Sequence, residues 1–412
     1  MILALQTTTF SAHGGIPAYN RMVCRALNEL DDVAVEKRRI LIAMDRRTDL
    51  AVAEKEFPNL TLESFAGHRS TFVRRAVATA MSERVDLALI GHVNYAPMGL
   101  LLKRLRPNLR YGVVVHGVEA WSRLPRIRRR ALRHADFVMS VSEYTKRQVV
   151  EANGVNPERV YLLPNTLAWE SSETVGSGET ATGRSGDGAT GRRGDGETGR
   201  SGEPDAARHK PIRLLSVCRL DAREQYKGID TVIRALPALV ARIPDLEYVI
   251  VGSGSDLERH KRIAADLGVT DRVQFLGSVD ELALRSVYES CDVFVLPSAG
   301  EGFGIVFLEA MHYRKPIIAA NSGATPEVVK DGETGMLVEA RSVEQLAAAM
   351  IDLATDRPKR DRMGEAGYAR LLNNFTFDHF KRRLQEIVIG ELPKKAFDHG
   401  ERQVARRASS LT

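Results

Sequence analysis

The chain has 412 residues, of which 43% are hydrophobic, 27% charged and 6% aromatic, and its formal net charge is +6. That is enough apolar material for two cores of ordinary domain size, while no stretch approaches the roughly 20 apolar residues that a membrane-spanning helix requires. A pI near 9.2 points to an anionic partner; nucleic acid is set aside, because the few aromatics do not interleave with the basic runs as stacking platforms would.

In chain order, residues 1–6 form a short apolar run without a basic leader, which reads as a first strand and not as a signal peptide. The cysteines, Cys24, Cys218 and Cys291, are far apart and odd in number, so neither a disulfide framework nor a paired metal or redox motif is indicated, and a reducing cytoplasm fits best. Short β-like runs at 2–5, 39–44, 86–90, 111–116, 137–141 and 160–163 alternate with helical stretches. The alternation resumes at 212–218, 247–251, 273–276, 293–296, 316–320 and 335–338. These runs are continuously apolar, the pattern of parallel sheets covered by helices on both faces. The expected fold class is therefore α/β, with two Rossmann-like, doubly wound domains at 1–170 and 210–375 facing each other across a cleft.

Between them, residues 171–209 are nearly free of large apolar side chains and contain an octapeptide repeat beginning at Thr182, Thr190 and Thr198. Such a composition does not repay the entropy of folding, so a disordered linker is expected. Residues 376–392 read as a final helix and 393–412 as a basic tail.

Ligands in such sheets bind at the carboxyl ends of strands, which singles out several positions. Gly14 and Gly15 lie between the first strand and its helix, where a phosphate-facing turn and a plain strand-to-helix turn are both open readings. His116 ends a buried strand and is either a cleft residue or a satisfied core histidine. From Trp121 to Arg133 six arginines accompany Trp121, Leu124, Ile127 and Leu132, the composition either of a helix lying on a membrane surface or of a solvated helix with ordinary core residues. Arg219 and Lys227 flank the loop leaving the first strand of the second half, a place for two cations on a diphosphate. Gly252 and Gly254 follow another strand, but Leu257 stands where the dinucleotide fingerprint needs glycine.

The strongest signal is 297–311, where a buried strand enters the turn Glu301-Gly302-Phe303-Gly304 and then the apolar helix of Ile305, Val306 and Glu309. The glycines permit close backbone approach, and the helix start offers free N–H groups to a phosphate. A carboxylate among apolar helix residues is costly unless used, which marks Glu309 as an acceptor for a diol and Glu301 as a second gripping group. No Asp-x-Asp occurs in the chain, so no metal ion or other cofactor is expected.

Together, Gly14-Gly15, His116-Gly117, 142–145, 163–165, Arg219 to Gly228, 251–254 and the two acids eight residues apart resemble the retaining glycosyltransferases of the GT-B fold, in particular family 4, the glycosyl transferases group 1. Cys218 stands where that family often has glycine, and Asn165-Thr166-Leu167 replaces its common Asn-Gly-Val-Asp. The resemblance implies a metal-independent transfer of a hexose, mannose or glucose, from a nucleotide-diphosphate sugar to a saccharide or lipid-linked acceptor. It places Gly14 and Gly15 near the diphosphate, His116 beside the transferring sugar, and Arg219 and Lys227 on the diphosphate. Glu309 would hold the ribose, Glu301 the sugar hydroxyls, the backbone of Gly302 to Val306 the phosphates, and Gly252 would border the donor. It also implies a cytoplasmic enzyme, peripheral at the inner membrane face if the acceptor is lipid-linked, and a last helix that crosses back to the first domain. A GT-B nucleotide-sugar epimerase and a non-catalytic nucleotide-sugar-binding protein are the alternatives.

Overall fold

The computed structural model describes residues 1–12, 14–30, 35–167 and 211–392. The expected repeat linker at 171–209 and basic tail at 393–412 lie outside them.

The first sheet holds β1 (Ile2–Gln6), β2 (Arg38–Ile42), β3 (Thr61–Ser64), β4 (Leu87–Ile90), β5 (Arg110–Val115), β6 (Phe137–Ser140) and β7 (Val160–Leu162), in the order β3-β2-β1-β4-β5-β6-β7. The second holds β8 (Arg213–Val217), β9 (Glu247–Val251), β10 (Val273–Gly277), β11 (Val293–Leu296), β12 (Ile317–Ala320) and β13 (Gly335–Val338), in the order β10-β9-β8-β11-β12-β13. All strand pairs within both sheets are parallel. Central strands such as β4, β11 and β12 are buried along their whole length, the consequence of helices on both faces.

Two edge strands differ from expectation. β3, Thr61-Leu62-Glu63-Ser64, has a single buried apolar residue and was not anticipated; its place at the sheet edge removes the need for more. β10 alternates between half-buried and exposed positions where continuous burial was expected, again because it is an edge.

In each sheet the strand order reverses beside the first strand, between β1 and β4 and between β8 and β11. Loops leaving these neighbours diverge to opposite faces and open a crevice at the carboxyl ends. The sequence positions singled out above follow β1, β5, β8, β9 and β11, so the topology gathers them at the crevices.

After the helix Arg357–Asn374, which packs on the helix Ile305–His312, the chain turns and the helix Phe377–Glu391 packs on Gly15–Asn28 of the first half. Phe380, Leu384 and Val388 are buried there, each worth about 2 kcal/mol of apolar transfer. Lys381 donates to the Glu29 carboxylate at 2.9 Å, the Arg25 guanidinium lies 4.3 Å from the Phe377 ring centre, and Tyr161 donates to Glu391 at 2.9 Å. Where the two chain crossings meet, Thr166 Oγ1 donates to the Phe375 carbonyl at 2.7 Å.

Candidate active site

The helices Gly15–Asn28 and Ile305–His312 bring their amino ends together: a Cβ added to Gly15 would stand 3.8 Å from Ile305 Cδ1. Each helix starts behind a glycine with positive φ, Gly14 at 135° and Gly304 at 86°. Both ends carry unpaired N–H groups and positive dipole ends, so the gap between them attracts an anion from two sides. The loop leading to Gly14 is pinned by Asp45, a buried carboxylate that accepts from the N–H groups of Thr9 and Phe10 at 3.0 and 2.6 Å and from the Ser11 hydroxyl at 2.7 Å.

Gly302 serves the approach of the two halves. A Cβ there would lie 2.0 Å from the His116 carbonyl oxygen and 2.8 Å from Gly117 Cα. Gly252 serves a loop contact within the second half, since its Cβ would fall 1.8 Å from the Cys218 carbonyl oxygen. The side chain of Phe303 is core, packed edge-on against Phe375 at 5.6 Å, and Val306 is half-buried.

The charged groups are paired. Lys227 Nζ donates to Glu301 Oε1 at 2.5 Å. Burial pulls the Lys227 ammonium down, but the Glu301 charge and hydrogen bond outweigh it and hold its pKa at about 12. Arg219, at the rim with its side chain 73% exposed, pairs with Glu224. Glu309 receives the Tyr288 hydroxyl at 2.7 Å. Burial raises the Glu309 carboxyl to about 7, with the Tyr288 hydrogen bond opposing it. Burial pushes the Cys218 thiol up to about 12, so no thiolate nucleophile stands beside the cations.

His116 is half-buried, with Nε2 at 2.8 Å from the Gly91 carbonyl and its ring edge-on to Tyr19 at 4.9 Å. Its backbone N–H donates to Glu119 at 2.6 Å, and burial holds its pKa below the usual imidazole range. Thus Gly15, His116, Gly302 and Ile305 meet across the crevice. Lys227 and Glu301 are linked, while Glu309 is anchored by Tyr288, a residue that sequence reasoning missed. His92, Glu224 and Glu327 were missed as well. A histidine just past an apolar strand, in the same relation as His116, was a legible signal for His92. Nothing local distinguishes the others.

The Trp121 to Arg133 stretch resolves differently from an inserted amphipathic helix. Leu124 and Leu132 are buried, and Trp121 Nε1 donates to Thr145 Oγ1 at 3.1 Å. In that stretch Ile127 alone among large apolar side chains is strongly exposed, at 63%.

Two facing parallel-sheet halves with anion-attracting helix ends and paired acids and cations at the seam have the architecture of a GT-B sugar-transfer enzyme. Residues 13–167 match the model of Glycosyltransferase Family 4, and residues 203–370 match that of Glycosyl transferases group 1. The chain is 34% identical over 309 residues to the GDP-mannose-dependent alpha-(1-6)-phosphatidylinositol monomannoside mannosyltransferase of Mycolicibacterium smegmatis, covering 72% of this chain and 74% of that protein. The Mycobacterium tuberculosis protein of the same name is 34% identical over 320 residues, with 72% and 74% covered. Among solved structures, Anabaena HepE in complex with UDP and glucose superposes with a TM-score of 0.67 at 18% identity, over 94% of this chain and 98% of that one. Sucrose-phosphate synthase from Thermosynechococcus elongatus gives 0.68 at 19% identity over 94% and 98%. The chain belongs to the glycosyl transferases group 1 of glycosyltransferase family 4. The fold and family expected from the sequence are both met.

Proposed function

We propose that the protein is a retaining, metal-independent mannosyltransferase that moves mannose from GDP-mannose to a lipid-linked saccharide. The observation that carries this reading is the 34% identity to GDP-mannose-dependent mannosyltransferases over 72% of the chain, set beside a seam where Lys227 and Glu301 pair at 2.5 Å. The donor diphosphate sits between the helix amino ends at Gly15 and Ile305 and takes Lys227 and Arg219 as counter-charges. Charge-assisted hydrogen bonds of this kind are worth roughly 1.5–3 kcal/mol each. When Lys227 turns to the phosphate, Glu301 is freed to accept from sugar hydroxyls, so no carboxylate is left unpaired. Glu309 accepts from the ribose diol. As the glycosidic bond to phosphate breaks, the growing negative charge stays among these cations and N–H groups. The acceptor oxygen attacks from the face the phosphate leaves, and a phosphate oxygen takes its proton; no protein nucleophile takes part.

The acceptor reaches the enzyme at a membrane surface in this reading. No helix among the described residues is long and apolar enough to cross a membrane. The exposed arginines Arg123, Arg126, Arg130 and Arg133 suit electrostatic attachment to anionic lipid, each cation contributing about 1 kcal/mol near such a surface. Because Leu124 and Leu132 are buried, the contact rests on charge and is reversed by salt. Flotation with phosphatidylglycerol vesicles tests it. Binding that is lost in 0.5 M salt, where the Debye length shortens from ~10 to ~4 Å, or on replacing these arginines supports it, and indifference to both removes it. For the chemistry, mannosyl transfer with and without chelator is the test. Activity from GDP-mannose that survives chelator supports the reading, and activity from UDP-glucose alone rejects the donor assignment.

A further inference from the structure

Beside His116 stands a second imidazole that the roles above leave unused. His92 lies just past β4, on the opposite side of the switch point from β1, and is 7% exposed. Its Nδ1 accepts the Asn94 N–H at 3.1 Å. An accepting Nδ1 carries a lone pair, so in the neutral ring the proton resides on Nε2. Burial, reinforced by His116, pushes the His92 pKa down to about 4, which keeps the ring in that neutral form near pH 7.

His116 has the complementary polarity. Its Nε2 faces the Gly91 carbonyl at 2.8 Å, which requires the proton there and leaves Nδ1 as an acceptor. The two rings stack with centroids 5.8 Å apart and planes 26° apart. Neither His92 Nε2 nor His116 Nδ1 has a hydrogen-bond partner among the described residues, and neither atom is fully sealed, although His92 as a whole is buried and His116 half-buried. The stacked pair, whose His116 adjoins the contact of Gly117 with Gly302, thus carries one donor and one acceptor. A phosphate oxygen would satisfy the donor and be repelled by the lone pair, and an ammonium would do the reverse. A hydroxyl, or two adjacent hydroxyls, satisfies both.

We propose that His92 is a further substrate-binding residue, whose Nε2–H donates to a sugar hydroxyl while His116 Nδ1 accepts from the same or the adjacent hydroxyl. The inference rests on the glycosyl-transfer reading, and the sugar belongs either to the donor or to the acceptor. The competing role is purely local, since the Nδ1 bond caps the short helical turn Val93–Tyr95.

His92→Asn separates the two, because asparagine also caps such a turn but is too short to reach where Nε2 stands. His92→Ala removes both functions. Calorimetry with GDP, GDP-mannose and UDP-glucose reads the donor arm, and the KM for methyl α-mannoside at saturating donor reads the acceptor arm. For His92→Asn we expect an unchanged melting temperature and GDP affinity, with a loss of about tenfold in either the nucleotide-sugar affinity beyond GDP or the acceptor KM. The arm that moves tells which sugar is held. If His92→Asn and His92→Ala both match wild type in both arms, or if only His92→Ala loses activity together with its melting temperature, the role is the cap and the proposal fails. A wild type that binds GDP but gains nothing from either attached sugar confines the proposal to the acceptor arm, where an unchanged acceptor KM in His92→Asn overturns it and leaves the nucleotide site standing. One that binds no nucleotide removes the glycosyl-transfer reading as well.

Discussion

Glu309 is the residue whose chemistry is most constrained. Burial lifts its carboxyl from the ordinary 4.5 to about 7, so between those values the folded protein holds a proton that the unfolded chain has released. Stability therefore declines as pH rises through that window. In the proposed site nucleotide binding has the opposite sign, because a ribose diol held by Glu309 needs the ionised carboxylate as acceptor. Affinity for GDP-mannose is therefore expected to fall as pH drops below about 7, by up to about tenfold per unit. Calorimetry at pH 6.5 in buffers of different ionisation heat should show proton release that disappears in Glu309→Gln; release that persists would remove Glu309 from the site. The Tyr288 hydroxyl lowers the Glu309 pKa, so Tyr288→Phe should move the midpoint of this pH dependence upward and weaken binding at pH 7 by ~3–10-fold, as the loss of one hydrogen bond implies. An unshifted midpoint would mean that Tyr288 only packs. At this scale the acids were legible in the sequence, because a carboxylate within an apolar strand-turn-helix has few idle explanations. Their partners were not: Lys227 lies 74 residues from Glu301 and Tyr288 lies 21 from Glu309, and no local pattern carries such contacts.

Among the elements, the strand-turn-helix after β11 shows why a glycine recognised in sequence need not act as first read. Gly302 was assigned to phosphate approach. Its immediate constraint is the 2.0 Å that would separate an added Cβ from the His116 carbonyl oxygen, an atom of the other half. Backbone does not yield as a flexible side chain does, so Gly302→Ala should hold the halves apart. We expect kcat to fall by ~10–100-fold with the melting temperature changed by only a few degrees, since misplacement of about 1 Å costs that much in positioning. A variant with normal kcat would show that the contact is not needed for turnover. The buried strands were legible because parallel strands covered on both faces must be apolar throughout. β3 sits at an edge, where that requirement lapses and the signal with it; β10, also at an edge, was legible at 273–276 but is only partly buried for the same reason.

At the scale of the molecule, the halves are joined by more than the final helix. Glu327, on the helix Thr325–Val328, reaches across to accept from the N–H groups of Glu143 and Tyr144 at 2.8 and 2.6 Å. Those groups open the helix Glu143–Asn153, whose positive dipole end favours the carboxylate by roughly 0.3–1 kcal/mol. Glu327→Gln keeps the shape and removes the charge. Its solution scattering should show a larger radius of gyration without donor and a KM for donor raised about two- to fivefold, in line with that energy; identical scattering and KM would make the latch inert. Two α/β cores and a crevice between them were legible from alternating apolar runs. The latch and the Thr166 to Phe375 tie were not, because each depends on how separate elements come to lie together; the burial of Leu124 and Leu132 was one of two readings the sequence left open.

The central claim is that Lys227, Arg219 and the two helix ends stabilise a departing GDP without a metal. Its most direct measurement is initial-rate mannosyl transfer from GDP-mannose in excess EDTA, comparing wild type with Lys227→Met. The account predicts full wild-type activity under chelation and a fall in kcat of ~100-fold or more in the variant, as expected when a charge that stabilises the transition state is lost. Activity abolished by EDTA and restored by a divalent cation, or a Lys227→Met enzyme that turns over normally, would contradict it.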